Sequence, residues 1–297
     1  MISLRPAQED VITYRHGRMA VSAVPGSGKT FTLAHLASKL LAEGYAYDNP
    51  FLNPNEEDQR VLIVTYLNAS VDTFRARVRK NLEDLGLPPD HGYDVRTLHS
   101  LALEIVRVSE SGLGPDTAEP TVTDETQTTL FLGQALDSWI QTYPDLWRAF
   151  EAGDSPRART HWRDTVLRTA RSFIRAAKNK RYKVRDIQAR LNMSGGSEPG
   201  FATDPDQVES SPLLFMLTGI YDRYQRILDQ QGVLDFDDLI WQATDLLETR
   251  PDLVSELRRR WPYILEDEAQ DSVPLQEVLL STLTGVDGNW VRVGDPN

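Results

Sequence analysis

The sequence contains no cysteine, and this absence excludes disulfide bonds and thiolate metal sites. Long apolar runs are also missing: no stretch approaches the ~18 residues of a membrane-spanning helix, and the N-terminus lacks the basic and apolar segments of a signal peptide. We therefore expect a cytoplasmic protein with no membrane partner. Positive charge is scarce, since 32 Lys and Arg stand against 44 Asp and Glu, and the net charge of −12 disfavours a nucleic-acid partner on average.

The positive charge that is present is concentrated in one segment, residues 157–190. This segment contains twelve Lys or Arg and two Asp, which gives it a net charge of +10 inside an acidic chain. Its apolar residues recur at helical spacing, and four basic residues fall together on a neighbouring face: Arg168, Arg171, Arg175 and Lys178. A solvated charged face is the ordinary explanation, but a segment this one-sided favours contact with the phosphates of a nucleic acid.

A glycine-containing stretch, AVPGSGKT at 23–30, lies between a short apolar run at 19–21 and a helical pattern at 31–41. Its glycines allow backbone N–H groups to surround a phosphate, and the helix start adds its positive dipole end. In such a loop Lys29 binds the β and γ phosphates and the Thr30 hydroxyl holds Mg²⁺. A turn with no ligand is the alternative, and the strict pattern has Gly at the first position. We predict that ATP is bound by Ala23, Val24, Pro25, Gly26, Ser27, Gly28, Lys29, Thr30 and Phe31.

Two adjacent carboxylates, Asp267 and Glu268, follow the apolar run at 263–265, which is typical of a buried strand. In a chain with a phosphate loop, Asp267 can hold Mg²⁺ through the metal's water shell. Glu268 can orient and deprotonate the water that attacks the γ-phosphoryl group. We therefore predict that Lys29, Asp267 and Glu268 carry the chemistry, and that Thr30 and Asp267 form the metal site.

Other candidates precede or follow predicted strands. Gln8, in LRPAQEDV, can turn its amide toward an adenine, although this segment is also typical of a helix start. Tyr66 follows the apolar run at 61–65 and can stack on a nucleobase, or can simply lie at the edge of the core. Thr97, His99 and Ser100 can donate to phosphate oxygens, although a histidine at such a position is more often a capping or core residue.

The order of these patterns predicts an α/β fold with a parallel sheet and an inserted helical region. Strand and helix signals alternate up to residue 108, stop from 109 to 230, and resume at 231–297. Within the insertion, 112–124 is a turn-rich linker and 192–207 is a loop. DFDDLI at 235–240 has three carboxylates within four residues, and an acid-rich helix start explains it as well as a functional role does.

Taken together and in this order, the motifs resemble those of the UvrD/Rep family of superfamily 1 DNA helicases. LRPAQEDV resembles the family's adenine-reading motif, with Gln8 as the reader, and AVPGSGKT resembles its phosphate loop, where Ala in the first place is common. VLIVTYLNAS is similar to a motif whose aromatic residue stacks on single-stranded DNA and whose Asn contacts the backbone, which implies these roles for Tyr66 and Asn68. VRTLHSLA implies DNA backbone contacts by Thr97 and His99.

Further motifs extend the resemblance to the end of the chain. DFDDLI resembles the short motif after the inserted domain, and EDEAQDS resembles the motif in which Gln270 and Asp271 couple nucleotide state to the rest of the protein. VGDPN at 293–297 resembles the start of a motif whose next residue is a γ-phosphate-sensing Gln. Phe31 departs from the family, which often has Arg there.

The resemblance implies a RecA-like P-loop NTPase domain with an inserted all-helical subdomain. It also implies ATP and Mg²⁺ as cofactors, and 3′→5′ movement on single-stranded DNA and at its junctions with duplex, as in DNA repair. A second RecA-like lobe with an arginine finger would be needed beyond these residues, so we expect the chain alone to hydrolyse ATP slowly and not to unwind DNA. An RNA-acting or nuclease-fused relative, and a nucleotide-gated DNA-binding module that does not unwind, are the alternatives.

Overall fold

The computed structural model describes residues 5–55, 58–110, 120–151, 155–194 and 212–295. Most of the predicted linker at 112–124 and of the predicted loop at 192–207 lies outside these ranges, as do Pro296 and Asn297 of the predicted VGDPN motif. The chain divides into two compact units. The α/β unit consists of Met1–Thr117 and Gln242–Asn297, and the helical unit is Ala118–Trp241.

The strands of the described chain are β1 (Arg18–Ser22), β2 (Val61–Thr65), β3 (Tyr93–Thr97), β4 (Thr121–Val122), β5 (Val233–Leu234), β6 (Tyr263–Asp267) and β7 (Asn289–Gly294). The helices are α1 (Pro6–Ile12), α2 (Lys29–Tyr45), α3 (Asn68–Asp84), α4 (Leu98–Glu110), α5 (Glu125–Thr142), α6 (Pro144–Phe150), α7 (Pro156–Asn179), α8 (Val184–Ser194), α9 (Pro212–Gln231), α10 (Phe236–Thr249), α11 (Pro251–Arg260) and α12 (Pro274–Thr284). A short 3₁₀ turn covers Ala269–Asp271.

A five-stranded parallel sheet forms the centre of the α/β unit, in the order β1-β7-β6-β2-β3. Strand β2 is buried along its whole length, as its apolar sequence predicts, and β6 is buried as well although it ends in Glu266 and Asp267. Because every strand runs in the same direction, the segments that follow β1, β2, β3 and β6 all emerge at one edge of the sheet. The predicted parallel α/β fold is confirmed, and this edge carries most of the predicted site residues.

Helix α2 packs on the sheet and holds the preceding segment, residues 23–28 of the predicted phosphate loop, beside it. It follows directly on Gly28 and contributes Leu33, Leu36 and Leu40, each fully buried, to a core shared with Ile63 of β2 and Leu265 of β6. Burying a leucine side chain stabilises a fold by about 1.5 to 3 kcal/mol. The loop that precedes α2 is therefore supported by a rigid core.

The helical unit is built from α5 to α9 around a buried tryptophan, Trp139. It is not entirely helical, because β4 and β5 pair in parallel. The compact unit extends to Trp241, beyond the predicted boundary at 230, since Asp235 is bonded to Lys178 and Tyr224 of the same unit. Helix α8 continues to Ser194 and so enters the segment predicted as loop.

None of the helices in the described part of the chain combines the length and the apolar content that crossing a bilayer requires.

Candidate active site

The segment between β1 and α2 has the backbone conformation of a turn that only glycine adopts easily. Gly26 and Gly28 have φ angles of +76° and +91°, in the left-handed region. Gly28 precedes Lys29, the first residue of α2, so the helix's unsatisfied N–H groups face this loop. A Cβ on Gly28 would lie 2.9 Å from Nε2 of Gln8, so a larger residue at this position would collide with that side chain.

Gln8 lies against the loop, as its predicted role requires. Its Nε2 donates a 3.3 Å hydrogen bond to the carbonyl oxygen of Ser27, and its Oε1 accepts one of 3.0 Å from the backbone N–H of Arg5. The second of these bonds also closes the first turn of α1, so the helix-start interpretation is confirmed, while adenine recognition by Gln8 stays a prediction. The hydroxyl oxygen of Ser27 is buried and has no hydrogen-bond partner within the described residues.

The structure brings the two predicted acids to the start of α2. The Lys29 ammonium donates a short hydrogen bond to Oε2 of Glu268, and the Thr30 hydroxyl donates one of 3.2 Å to Oδ2 of Asp267. These contacts join residues more than 230 positions apart in sequence. The parallel sheet explains them, because β1 and β6 end at the same edge.

The other Asp267 oxygen, Oδ1, is buried and has no partner in the described part of the chain. Burial, and next the charge of Glu268, raise the pKa of Asp267 to about 6. A cation beside Oδ1 would satisfy this oxygen and stabilise the ionised carboxylate. The described residues contain no group of three or more His, Asp or Glu that could hold a metal alone. The site therefore fits Mg²⁺ bound by one carboxylate, a hydroxyl, water and substrate phosphates.

The surroundings of Glu268 favour the ionised form of its carboxyl group. Burial alone would raise the pKa of its carboxyl, but the hydrogen bonds from Lys29 and Gln270 outweigh this effect and hold the pKa below its ordinary value. Its backbone φ of +55° is unusual for a residue with a side chain, and such strain is often found at functional sites.

Gln270 bridges the acid pair to the end of β7. Its Nε2 donates to Oε2 of Glu268 at 2.8 Å, and its Oε1 accepts from the backbone N–H of Asp295 at 2.8 Å. The contact between Gln270 and Asp295 was not predicted from sequence.

Phe31, the last residue predicted to bind nucleotide, stacks on His35 within α2, with ring centroids 5.6 Å apart.

The predicted DNA-contacting residues of the α/β unit lie where β2 and β3 end. The Tyr66 hydroxyl donates to Oε1 of Glu266 at 2.8 Å, and Asn68 is exposed at the start of α3. Thr97 ends β3 and His99 follows in the first turn of α4, both half-buried. Asn68 and Thr97 line one cavity of about 650 Å³. Its other polar lining includes Ser100 and two residues that sequence reasoning missed, Arg75 and Arg96.

The basic face of α7 differs from its prediction at one position. Arg168 and Arg175 are exposed, and Arg171 is partly exposed beside Glu125 and Thr129. The prediction for Lys178 is wrong, because its side chain has no exposed surface and its ammonium bonds Asp235 and Asp238, each at 2.7 Å. A lysine held in this way cannot reach a phosphate in solution.

The acidic motif at 235–240 supplies the partners of Lys178. Asp235 also accepts a 2.9 Å hydrogen bond from the backbone N–H of Asp238, which is the capping arrangement expected at the start of α10. The geometry thus favours the helix-start interpretation of DFDDLI. The same carboxylates also bind the buried Lys178.

Comparisons with known proteins agree with these features. The family described as "UvrD/REP helicase N-terminal domain" matches residues 4–297. The chain is 25% identical over 285 residues to ATP-dependent DNA helicase UvrD1 of Mycobacterium leprae, covering 95% of this chain and 30% of the relative. It is 24% identical to DNA helicase II of Salmonella typhimurium, with 99% and 33% covered, and 24% identical to ATP-dependent DNA helicase Rep of Buchnera aphidicola, with 99% and 37% covered. The chain thus spans about a third of the length of these relatives.

Proposed function

Because this chain belongs to the UvrD/REP helicase N-terminal domain family, we propose that it forms the ATP-hydrolysing and DNA-gripping part of an ATP-dependent DNA helicase. The observation that carries the proposal is the pair of contacts from Lys29 to Glu268 and from Thr30 to Asp267. They place a cation, a hydroxyl and two carboxylates at one helix start, which is the set of groups that phosphoryl transfer requires.

Each group has a distinct role in this proposal. The loop amides and the Lys29 ammonium bind the β and γ phosphates of ATP, and Thr30 and Asp267 hold Mg²⁺. The metal, when bound, neutralises charge on the phosphate oxygens. Glu268 accepts a proton from the water whose oxygen attacks the γ-phosphorus, and the bond from that phosphorus to the β–γ bridging oxygen breaks.

Gln8 selects the base of the nucleotide. Its amide carries both a donor and an acceptor, which suits the edge of adenine. The contact with Ser27 attaches this amide to the phosphate loop. Base recognition and phosphate binding therefore share one support.

Single-stranded DNA is the proposed track, with a junction to duplex DNA as the substrate and 3′→5′ as the direction of movement. Tyr66 stacks on a base, and Asn68, Thr97 and His99 contact the backbone beside it. Arg168, Arg171 and Arg175 add phosphate contacts from the helical unit. A cytoplasmic location and a role in DNA repair stay predictions.

Unwinding needs a second RecA-like lobe, whose closure on ATP moves the DNA. An arginine finger from such a lobe is worth ~10³ to 10⁵ in rate. We therefore expect the 297-residue chain to hydrolyse ATP slowly and to leave duplex DNA intact. Robust strand separation by this chain alone, in a fluorescent strand-displacement assay, would contradict this expectation.

The substitution Glu268→Gln tests the enzymatic role. It should lower hydrolysis of radiolabelled ATP by at least ~100-fold, because it removes the base, while binding of a fluorescent ATP analogue persists. Glu256→Gln, at an exposed site on α11, is the matched control and should change neither quantity. Hydrolysis no faster than the uncatalysed reaction in both the parent chain and Glu268→Gln would instead favour a nucleotide-gated binding module. Binding to DNA and RNA strands of equal length at one salt concentration separates the two nucleic acids.

A further inference from the structure

A buried carboxylate lies directly before the catalytic acids. Glu266, the fourth residue of β6, has no exposed surface and is followed in sequence by Asp267. Burial raises the pKa of Glu266, but three donors surround its carboxyl group. An apolar residue would satisfy a buried strand without this cost, so the charged side chain needs a reason.

The donors of Glu266 come from two neighbouring strands. Oε1 accepts a 2.8 Å hydrogen bond from the Tyr66 hydroxyl, just after β2. Oε2 accepts bonds of 3.1 Å from the Trp290 indole and 2.8 Å from Nε of Arg292, both on β7. Arg292 lies opposite Glu266 in the strand register. An ionised carboxylate has acceptors only, so it matches a set composed entirely of donors.

The hydrogen bond to Glu266 holds the hydroxyl of Tyr66, so the side chain is restrained at this end in addition to its attachment to the backbone. Its ring is half-buried, and the residues after it, Leu67 and Asn68, are exposed. A tyrosine whose hydroxyl is held has little freedom to rotate about its side-chain bonds. A ring that is already ordered loses less conformational entropy when a nucleobase stacks on it.

We propose that Glu266 is a positioning residue for DNA binding, which orients the Tyr66 ring through its hydroxyl so that the ring presents a face to a base of the single strand. This inference rests on the proposed role of Tyr66 in stacking. Strand β6 would then have two roles: Asp267 at its end binds the metal, and Glu266 before it orients the aromatic ring that contacts DNA.

The test measures binding of the 297-residue chain to an oligothymidylate that contains one 2-aminopurine, a base whose fluorescence is quenched by stacking. Tyr66→Ala should weaken binding by about tenfold and abolish the quenching. Tyr66→Phe can still stack but has no hydroxyl, and Glu266→Met replaces the carboxylate that accepts from that hydroxyl with an apolar side chain of similar length. Each should weaken binding by about threefold. The double variant should be no weaker than either single one, since both remove the same interaction.

Glu277→Gln is the matched control. Glu277 pairs with the same Arg292, whereas the Tyr66 hydroxyl donates to Glu266. Its substitution changes the charge around Arg292 and should leave DNA affinity and quenching within about twofold of the parent protein. Affinity for a fluorescent ATP analogue and the thermal midpoint are measured for every variant.

Three outcomes would overturn the proposal, each for a different reason. If Tyr66→Ala weakens binding and Glu266→Met does not, Tyr66 contacts DNA without help from Glu266. If Tyr66→Ala has no effect, the proposed stacking role fails as well, while the ATPase proposal is untouched. If Glu266→Met lowers DNA affinity, ATP affinity and thermal midpoint together, the role of Glu266 is only structural.

Discussion

Lys178 and Asp235 form a buried ion pair in the helical unit, with 2.7 Å between the ammonium nitrogen and Oδ2. Asp238 lies at the same distance from the ammonium, and the Tyr224 hydroxyl donates to Asp235 at 2.9 Å. Burial lowers the pKa of Lys178, but the two carboxylates outweigh it and raise the pKa above its ordinary value. The lysine is therefore charged at neutral pH and joins α7 to the start of α10.

Substitution of Lys178 should destabilise the helical unit. Lys178→Met leaves two buried carboxylates without their cation, and we expect the free energy of unfolding to fall by about 3 to 5 kcal/mol. Urea denaturation followed by tryptophan fluorescence measures it, since Trp139 is buried in the same unit. Arg175→Met, one turn earlier and exposed, should cost no more than about 0.5 kcal/mol. Equal losses would contradict the buried ion pair.

Asp237 should make stability depend on pH. Burial, and next the charge of Asp235, raise its pKa from 3.8 to about 6. Between these values the folded chain holds more protons than the unfolded chain, so this residue lowers the free energy of unfolding as pH rises from about 4 to about 6. Asp237→Asn should remove this dependence on pH. The free energy of unfolding of the variant should therefore be higher than that of the parent protein by about 1 to 3 kcal/mol at pH 7.

Urea denaturation at several pH values measures the effect of Asp237→Asn against the parent protein. Asp164→Asn, at an exposed position on α7, serves as the control and should follow the parent curve. The prediction is wrong if Asp237→Asn and the parent protein lose stability equally over this pH range.

The exposed arginines of α7 should control the salt dependence of DNA binding. Arg168→Ala and Arg175→Ala should each make the slope of log affinity against log salt less negative by about 0.7. This is the value for one phosphate contact on a single strand. Arg226→Ala removes an exposed arginine of α9 that pairs with Asp222, and should leave the slope unchanged. Fluorescence anisotropy with labelled oligothymidylate at several salt concentrations gives the slopes. Identical slopes for all three variants would exclude this face from DNA binding.

Gln8 should decide which nucleotide base is accepted. Gln8→Ala is expected to reduce the preference for ATP over GTP by about tenfold, because the amide that recognises the adenine edge is removed. Competition of each nucleotide with a fluorescent ATP analogue measures the preference. Gln141→Ala, exposed on α5, should retain it. A parallel loss of ATP and GTP affinity would mean that Gln8 only supports the loop at Ser27.

Much of the fold could be predicted because its signals are local. The apolar run at 61–65 forms β2 over those same residues, and the glycines of AVPGSGKT mark a turn because few other residues adopt its backbone angles. The order of strand and helix signals predicted the parallel sheet, and this prediction is confirmed. The roles of individual site residues stay predictions, although the sheet brings Lys29 and Glu268 together.

Sequence alone determined the fold class, and it predicted an inserted helical region and a phosphate loop, because each depends on residue types and spacing within a short stretch of chain. Tertiary structure decided which charges meet. A helical pattern places Lys178 beside Arg175, yet only packing against α9 and α10 buries it. Glu266 and Tyr66 lie 200 positions apart, and only adjacent strands bring a carboxylate to a phenol. Long-range packing sets the surroundings of a side chain, and those surroundings decide whether a charge binds solvent, a ligand or another residue.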